Sequence, residues 1–292
     1  MDRGNDLKER MPVAAGRFYQ ANEELLKGDL TSLFSDKNCS APLTGLRAVI
    51  SPHAGYIYSG RVAASAYASA DRESEFKNIF LLGTSHSMTF DGASVYDKGY
   101  YITPLGRMMV NSDISSRLIG TSGWFSFIAD AHSKEHSIEV QLPFIQYWFR
   151  KQPLIVPIII GTGNTTTLRQ VAATLKPWFT RDNLFVISSD FSHYPSWSDA
   201  SEVDKATAEA ILTGSSDIFL ERLNSNKSAS IRGLATSMCG WTAALILLYL
   251  TEAGSNLEYI HLDYMNSGDS AYGDRRGVVG YHAIAVREIK NP

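Results

Sequence analysis

Short apolar runs rich in Val, Ile and Leu recur along this chain, and most are followed by a stretch whose apolar positions fall at helical spacing. Residues 48–51, 78–83, 154–160 and 184–188 read as buried strands, because an unbroken aliphatic run of that length suits a strand covered on both faces. Residues 60–70, 167–179, 202–212 and 217–223 read as helices, the last followed by a polar loop over 224–228. Residues 237–252 are almost wholly apolar, which predicts a long helix buried on most sides. Over 93–110 the pattern alternates and is broken at Asp97-Lys98-Gly99 and Pro104-Leu105-Gly106, predicting antiparallel strands or a hairpin. A short helix is expected over 112–119, and a longer one over 138–149 that Pro143 kinks or delays by a turn. Strands over 259–264 and 278–286 close the chain. Residues 1–44 hold an apolar stretch at 13–19, an amphipathic segment at 23–34 and a polar loop at 35–38, and read as an extension packed on the main body. Alternating strands and helices predict an α/β fold, with a central mixed β-sheet flanked by helices and a small antiparallel insertion. No linker or repeat divides the sequence, so residues 1–292 are expected to form one domain.

Composition narrows the function. Hydrophobic content of 44% and charged content of 20% suit a soluble globular protein. The net charge of -3 and the scattered Lys and Arg residues exclude a basic nucleic-acid surface. The longest apolar run, around 243–250, falls far short of the roughly 20 residues a membrane span needs. The polar start Met1-Asp2-Arg3-Gly4-Asn5-Asp6 lacks a signal-peptide core, so a cytoplasmic location is expected. Two cysteines, Cys39 and Cys239, are too few for a disulfide framework.

Three of the seven histidines stand where a predicted strand gives way to a loop: Pro52-His53-Ala54-Gly55, Thr84-Ser85-His86-Ser87 and Ser189-Asp190-Phe191-Ser192-His193. Strand ends of an α/β sheet converge on one edge, where distant residues can form a metal or acid/base site. A lone histidine in such a place is more often a hydrogen-bonded structural residue, but the repetition of the arrangement favours ligation. Asp190 stands close enough to His193 to orient its imidazole, or else caps the next segment. Cys239 falls in the opening turn of the helix expected at 237–252, where the helix dipole would make its thiol more acidic and a soft metal ligand. The plainer reading is a small buried residue beside Met238 and Trp241, and Cys39, in a polar loop, receives only a structural role. His132, Glu135 and His136 spell the inverted zinc-peptidase pattern, but they precede the apolar periodicity rather than lie on it. His261 and His282 lie in apolar strands where packing is the default, and the Gly-rich stretch 267–277 is a lid or a plain connection.

Taken together these segments resemble the Memo family, also called the AmmeMemoRadiSam system protein B family. The resemblance runs nearly end to end through Val13-Ala14-Ala15-Gly16-Arg17-Phe18-Tyr19, Pro52-His53-Ala54-Gly55-Tyr56, Gly83-Thr84-Ser85-His86, Glu135-His136-Ser137-Ile138-Glu139, Ser189-Asp190-Phe191-Ser192-His193, Cys239-Gly240 and Gly277-Val278-Val279-Gly280-Tyr281. Gln20 departs from it, where the family often has Pro after its Phe-Tyr pair. The resemblance implies the LigB-like fold of class III extradiol dioxygenases, whose Fe(II) is held by two histidines and a glutamate while a further histidine handles protons. It implies His53 and His86 as metal ligands, Cys239 in place of the glutamate, and His193 oriented by Asp190 as acid/base. His136 is expected to join the acid/base set, and Glu139, Tyr56, Ser85 and Tyr272 to line the substrate. A thiolate in place of a carboxylate favours copper or a redox-sensitive iron, so dioxygenase activity does not follow from the fold.

The leading expectation is therefore an Fe(II) or copper protein performing redox or oxygenase-type chemistry on an unidentified small molecule. The alternative is a binding or adaptor protein that reuses the pocket for a peptide or a partner, with a radical-SAM enzyme suggested by family association. A zinc peptidase built on His132, Glu135 and His136 is the third reading.

Overall fold

The computed structural model describes residues 9–35, 42–121, 123–252 and 256–289. The elements run β1 (Glu9–Arg10), α1 (Glu23–Phe34), β2 (Leu46–Ser51), α2 (Tyr56–Ala68), β3 (Asn78–Thr84), β4 (Ala93–Val95), β5 (Tyr100–Thr103), β6 (Gly106–Met109), α3 (Ser112–Thr121) and β7 (Phe125–Ser126). They continue α4 (Ala129–Ser133), α5 (Leu142–Trp148), β8 (Leu154–Ile160), α6 (Thr165–Leu175), β9 (Asn183–Ser188), α7 (Trp197–Leu212), α8 (Ser216–Ser228), α9 (Trp241–Thr251), β10 (Leu257–Asn266) and β11 (Gly280–Glu288).

Eight strands form one mixed sheet in the order β10-β11-β2-β9-β3-β8-β4-β7, and β1, β5 and β6 form a small second sheet. The central strands β2, β9, β3 and β8 are mutually parallel, while β11 and β4 run antiparallel at their flanks. Successive residues of each central strand feed opposite faces: Val49 packs in one core cluster and Ala48 and Ile50 in the other, as Ile79 and Leu81 oppose Phe80 and Leu82. Both faces are covered, which is why these strands are unbroken apolar runs. Helices α2 and α5 pack on one face, and α9 is buried within the cluster on the other. Among the described residues no helix is long and apolar enough to cross a membrane.

Several expectations need correction. The polar run at 224–228 is not a loop but the last turns of α8, held by Asn226, which is buried and donates its amide to Thr207 Oγ1 at 3.0 Å. The helix expected from 237 begins only at Trp241, because the preceding N–H groups are committed elsewhere: Cys239 N donates to Asp190 O and Gly240 N to Ser189 Oγ. The alternating segment splits, with β5 and β6 forming the hairpin while β4 joins the main sheet against β8. Pro143 stands in the first turn of α5, after a separate 3-10 turn at Glu139–Gln141. Cys39, the polar loop at 36–38 and the polar start of the chain lie outside the described residues.

The parallel strands bring their carboxyl ends to one edge. Since β9 lies between β2 and β3, the loops carrying His53, Asp190 with His193, and His86 leave the sheet side by side.

Candidate metal centre

His53 leaves β2 and is buried, with its ring fixed by the strand beside it. Its Nδ1 lies 2.9 Å from Ser188 Oγ. That hydroxyl donates its single proton to Ser137 O at 2.7 Å and also accepts from Gln141 Nε2 at 2.9 Å. Ser188 must therefore accept from His53 Nδ1–H, which places the lone pair of the neutral ring on Nε2. Burial, with the neighbouring His86, His136 and His193, holds the imidazole well below its usual range.

His86 leaves β3 and is fixed by Glu135. The carboxylate accepts from His86 Nδ1 at 2.9 Å, from His86 N at 2.8 Å and from Ser137 N at 3.0 Å. Burial raises Glu135, but its bonds to His86 outweigh that and hold it to about 2. Burial likewise lowers His86, yet the Cys239 thiol and Glu135 raise it to about 10, so the ring of the metal-free protein is protonated. Loss of that proton to a metal leaves Nδ1–H on Glu135 and Nε2 as the ligating atom.

Cys239 Sγ lies 3.3 Å from His53 Nε2. Its placement requires Gly240, since a Cβ there would stand 2.6 Å from Ser189 Cβ and 2.8 Å from Ser188 O. The thiol is not acidified as a helix N-terminus would make it: the residue precedes α9, and burial pushes it above its usual value although His86 draws it down.

Among the described residues, candidate ligand atoms gather in two overlapping groups, each with atoms within 4.8 Å of one another: His53, His86 and His136, and His53, Asp190 and Cys239. The expected set of His53, His86 and Cys239 takes members of both. The His136 ring centroid is 5.3 Å from that of His53 and 4.8 Å from that of His86. Burial lowers His136 to about 4, leaving it neutral.

Asp190 does not orient His193. Its Oδ1 accepts from His53 N at 2.8 Å and Ala54 N at 3.3 Å, so it fixes the loop that carries the first histidine. Burial lifts this carboxyl to about 7. His193 is anchored through its backbone, which bridges Thr236 and Val279, while its buried Nε2 has no hydrogen-bond partner among the described residues. Burial and the charge of His86 lower it to about 4.

Two of the residues expected to touch substrate are committed to other contacts. Glu139 is fully buried, pairs with Arg10, and accepts from Val13 N, Ala14 N and Tyr19 Oη. Tyr56 is a core residue whose hydroxyl donates to Val140 O at 2.8 Å. Tyr272 is 73% exposed on the loop after β10. Ser85 adjoins His86, where its Oγ accepts from Met88 N and shapes the loop. The zinc-peptidase arrangement is absent among the described residues: His132 is buried, and its ring nitrogens are engaged by Tyr101 Oη at 2.9 Å and Ser94 Oγ at 3.0 Å. With both nitrogens occupied it cannot share a metal with His136.

Glu135, Ser188 and Gln141 are supporting residues that the sequence reading did not assign to the ligand histidines. The available signal was polarity where an apolar run is expected to continue: Ser188 ends β9, and Gln141 stands fully buried between Val140 and Leu142.

A family model described as "Memo-like protein" matches residues 10–285. A MEMO1 family protein of Desulfurococcus amylolyticus is 33% identical over 290 residues, covering 95% of this chain and 99% of the relative. Another from Thermoplasma acidophilum is 31% identical over 277 residues, covering 94% and 98%. One from Methanopyrus kandleri is 32% identical over 301 residues, covering 96% and 99%.

Proposed function

This chain belongs to the Memo family, and from that premise we propose that it binds an Fe(II) or copper ion through His53, His86 and Cys239 and performs redox or oxygenase-type chemistry on a small molecule. The observation that carries the reading is the pairing of each histidine's Nδ1 with a fixed acceptor, Ser188 Oγ for His53 and Glu135 for His86. Metal-ligating histidines characteristically hold their second nitrogen in this way, since the partner sets both the tautomer and the ring orientation. The donor set fits a soft or borderline transition metal: two imidazoles and a thiol suit iron or copper better than Mg or Ca.

Bound there, such a metal would supply redox equivalents and open coordination positions. The chain's own residues divide the remaining work. Asp190 holds the His53 loop by two backbone N–H groups, and Glu135 holds the His86 ring and backbone together. His136, neutral, sets its ring beside both histidines, its centroid 5.3 Å from that of His53 and 4.8 Å from that of His86. His193, neutral with an unshared Nε2, is the group suited to take a proton from substrate and return it.

The test is metal analysis of protein purified without oxygen. Stoichiometric iron or copper, lost in His53→Ala, supports the assignment; protein free of both, or a His53→Ala variant with undiminished content, rejects it.

A further inference from the structure

Beside the segment that delivers Cys239 lies a cavity of about 420 Å³, between the end of α8 and the chain leading into α9. One side of it is apolar, formed by Leu220, Leu223, Ile231, Leu234, Met238 and Trp241. Six polar side chains also line it, Asn224, Asn226, Lys227, Ser230, Thr236 and Ser237, of which Asn226 donates to Thr207 Oγ1 and Thr236 to Met238 O. Among the described residues, Lys227 makes no ion pair, and neither the Asn224 amide nor the Ser237 hydroxyl makes a hydrogen bond, although Ser237 is only 8% exposed. A concave apolar chamber of a few hundred Å³ with a few convergent polar groups is the usual form of a small-molecule site. Here every charged or unpaired polar group can donate a hydrogen bond and the one formal charge is positive, so the complementary head group is an anion that accepts hydrogen bonds.

We propose that this cavity binds an amphiphilic monocarboxylate, its chain among the leucines and Trp241 and its head group at Lys227, Asn224 and Ser237. The back wall is not inert. Thr236, which lines the cavity, accepts from His193 N, and Ala235 N donates to His193 O, while Met238 adjoins Cys239 in sequence. An occupant therefore bears on the segment that places both the thiol and the proton-handling histidine.

Decanoate is a suitable probe, titrated calorimetrically against the full-length protein, with decanol as the uncharged control. Saturable one-to-one binding is expected, weakened roughly fivefold in Lys227→Glu, in line with an exposed charge pair, and abolished in Leu234→Trp. Leu223→Trp fills the chamber from another wall, so loss in both with unchanged urea midpoints separates filling from misfolding. In the metal-free protein, bound decanoate should slow alkylation of Cys239 by iodoacetamide, followed by peptide mass spectrometry, with the same half-saturation. No binding, binding that both Trp variants leave intact, or decanol binding as tightly as decanoate would overturn the site; an unchanged Cys239 rate at saturation would overturn its coupling to the thiol.

Discussion

Replacing Glu135 by Gln keeps the size of the side chain and removes only an acceptor, yet three N–H donors face its two oxygens. Oε1 accepts from His86 Nδ1 and Ser137 N, and Oε2 accepts from His86 N. If the glutamine oxygen takes the first position, its amide nitrogen confronts the His86 backbone N–H. If it takes the second, the amide donates toward Nδ1, drives the proton to Nε2 and opposes Ser137 N–H as well. One orientation strains the loop and the other selects a tautomer that cannot ligate through Nε2. Removing such a partner typically costs 10–100-fold in metal affinity, or about 1.4 to 2.7 kcal/mol. The loss of a buried charge-assisted hydrogen bond should also lower the stability of the metal-free protein by about 1.5 to 3 kcal/mol. Competition with a chelator of known affinity measures the first quantity and urea unfolding the second. A Glu135→Gln protein that holds metal as tightly as the wild type, while His86→Ala does not, would refute the idea that this carboxylate prepares the ligand.

Glu139→Ala should destabilise the fold by about 3 to 5 kcal/mol, read from the urea midpoint, because Arg10 would remain as an unpaired buried charge. The same change should free the segment carrying Val13, Ala14 and Tyr19, which hydrogen exchange at those amides would register. Gly240→Ala should leave secondary structure intact but lose metal, since its Cβ would displace Ser189 or the Cys239 loop; circular dichroism with metal analysis checks both. His132 is depressed to about 3 by burial and the nearby Arg10. The unfolded chain therefore binds more protons below about pH 6.5, so this stability is present above that pH and is lost as the pH falls toward 3. His132→Asn should flatten the fall in unfolding free energy between about pH 6 and pH 4 by about 1.4 kcal/mol per pH unit.

The sheet was legible because a strand buried on both faces leaves an unmistakable apolar run, and the meeting of His53 with His86 followed from strand ends alone. Helix ends were less so. The 237–240 segment looks helical until Asp190 O and Ser189 Oγ claim its N–H groups, a tertiary demand that no local pattern records. The same holds for the carboxylates. Asp190 stands beside His193 in sequence but serves His53, across 137 positions. Glu135 stands beside His136 but serves His86, across 49. Glu139 gave no sign that it anchors the N-terminal segment through Arg10, because a buried ion pair depends on a partner 129 positions away. The place of Cys239 in the expected ligand set, in the glutamate's stead, came from family resemblance; its Sγ lies 3.3 Å from His53 Nε2.

The most direct measurement is the iron and copper content per chain of protein purified anaerobically, for the wild type, His53→Ala, His86→Ala and Cys239→Ser side by side. A centre built on these donors predicts stoichiometric metal in the wild type and its loss or severe reduction in all three variants. Stoichiometric metal that survives all three substitutions, or a wild type with neither iron nor copper, would contradict it.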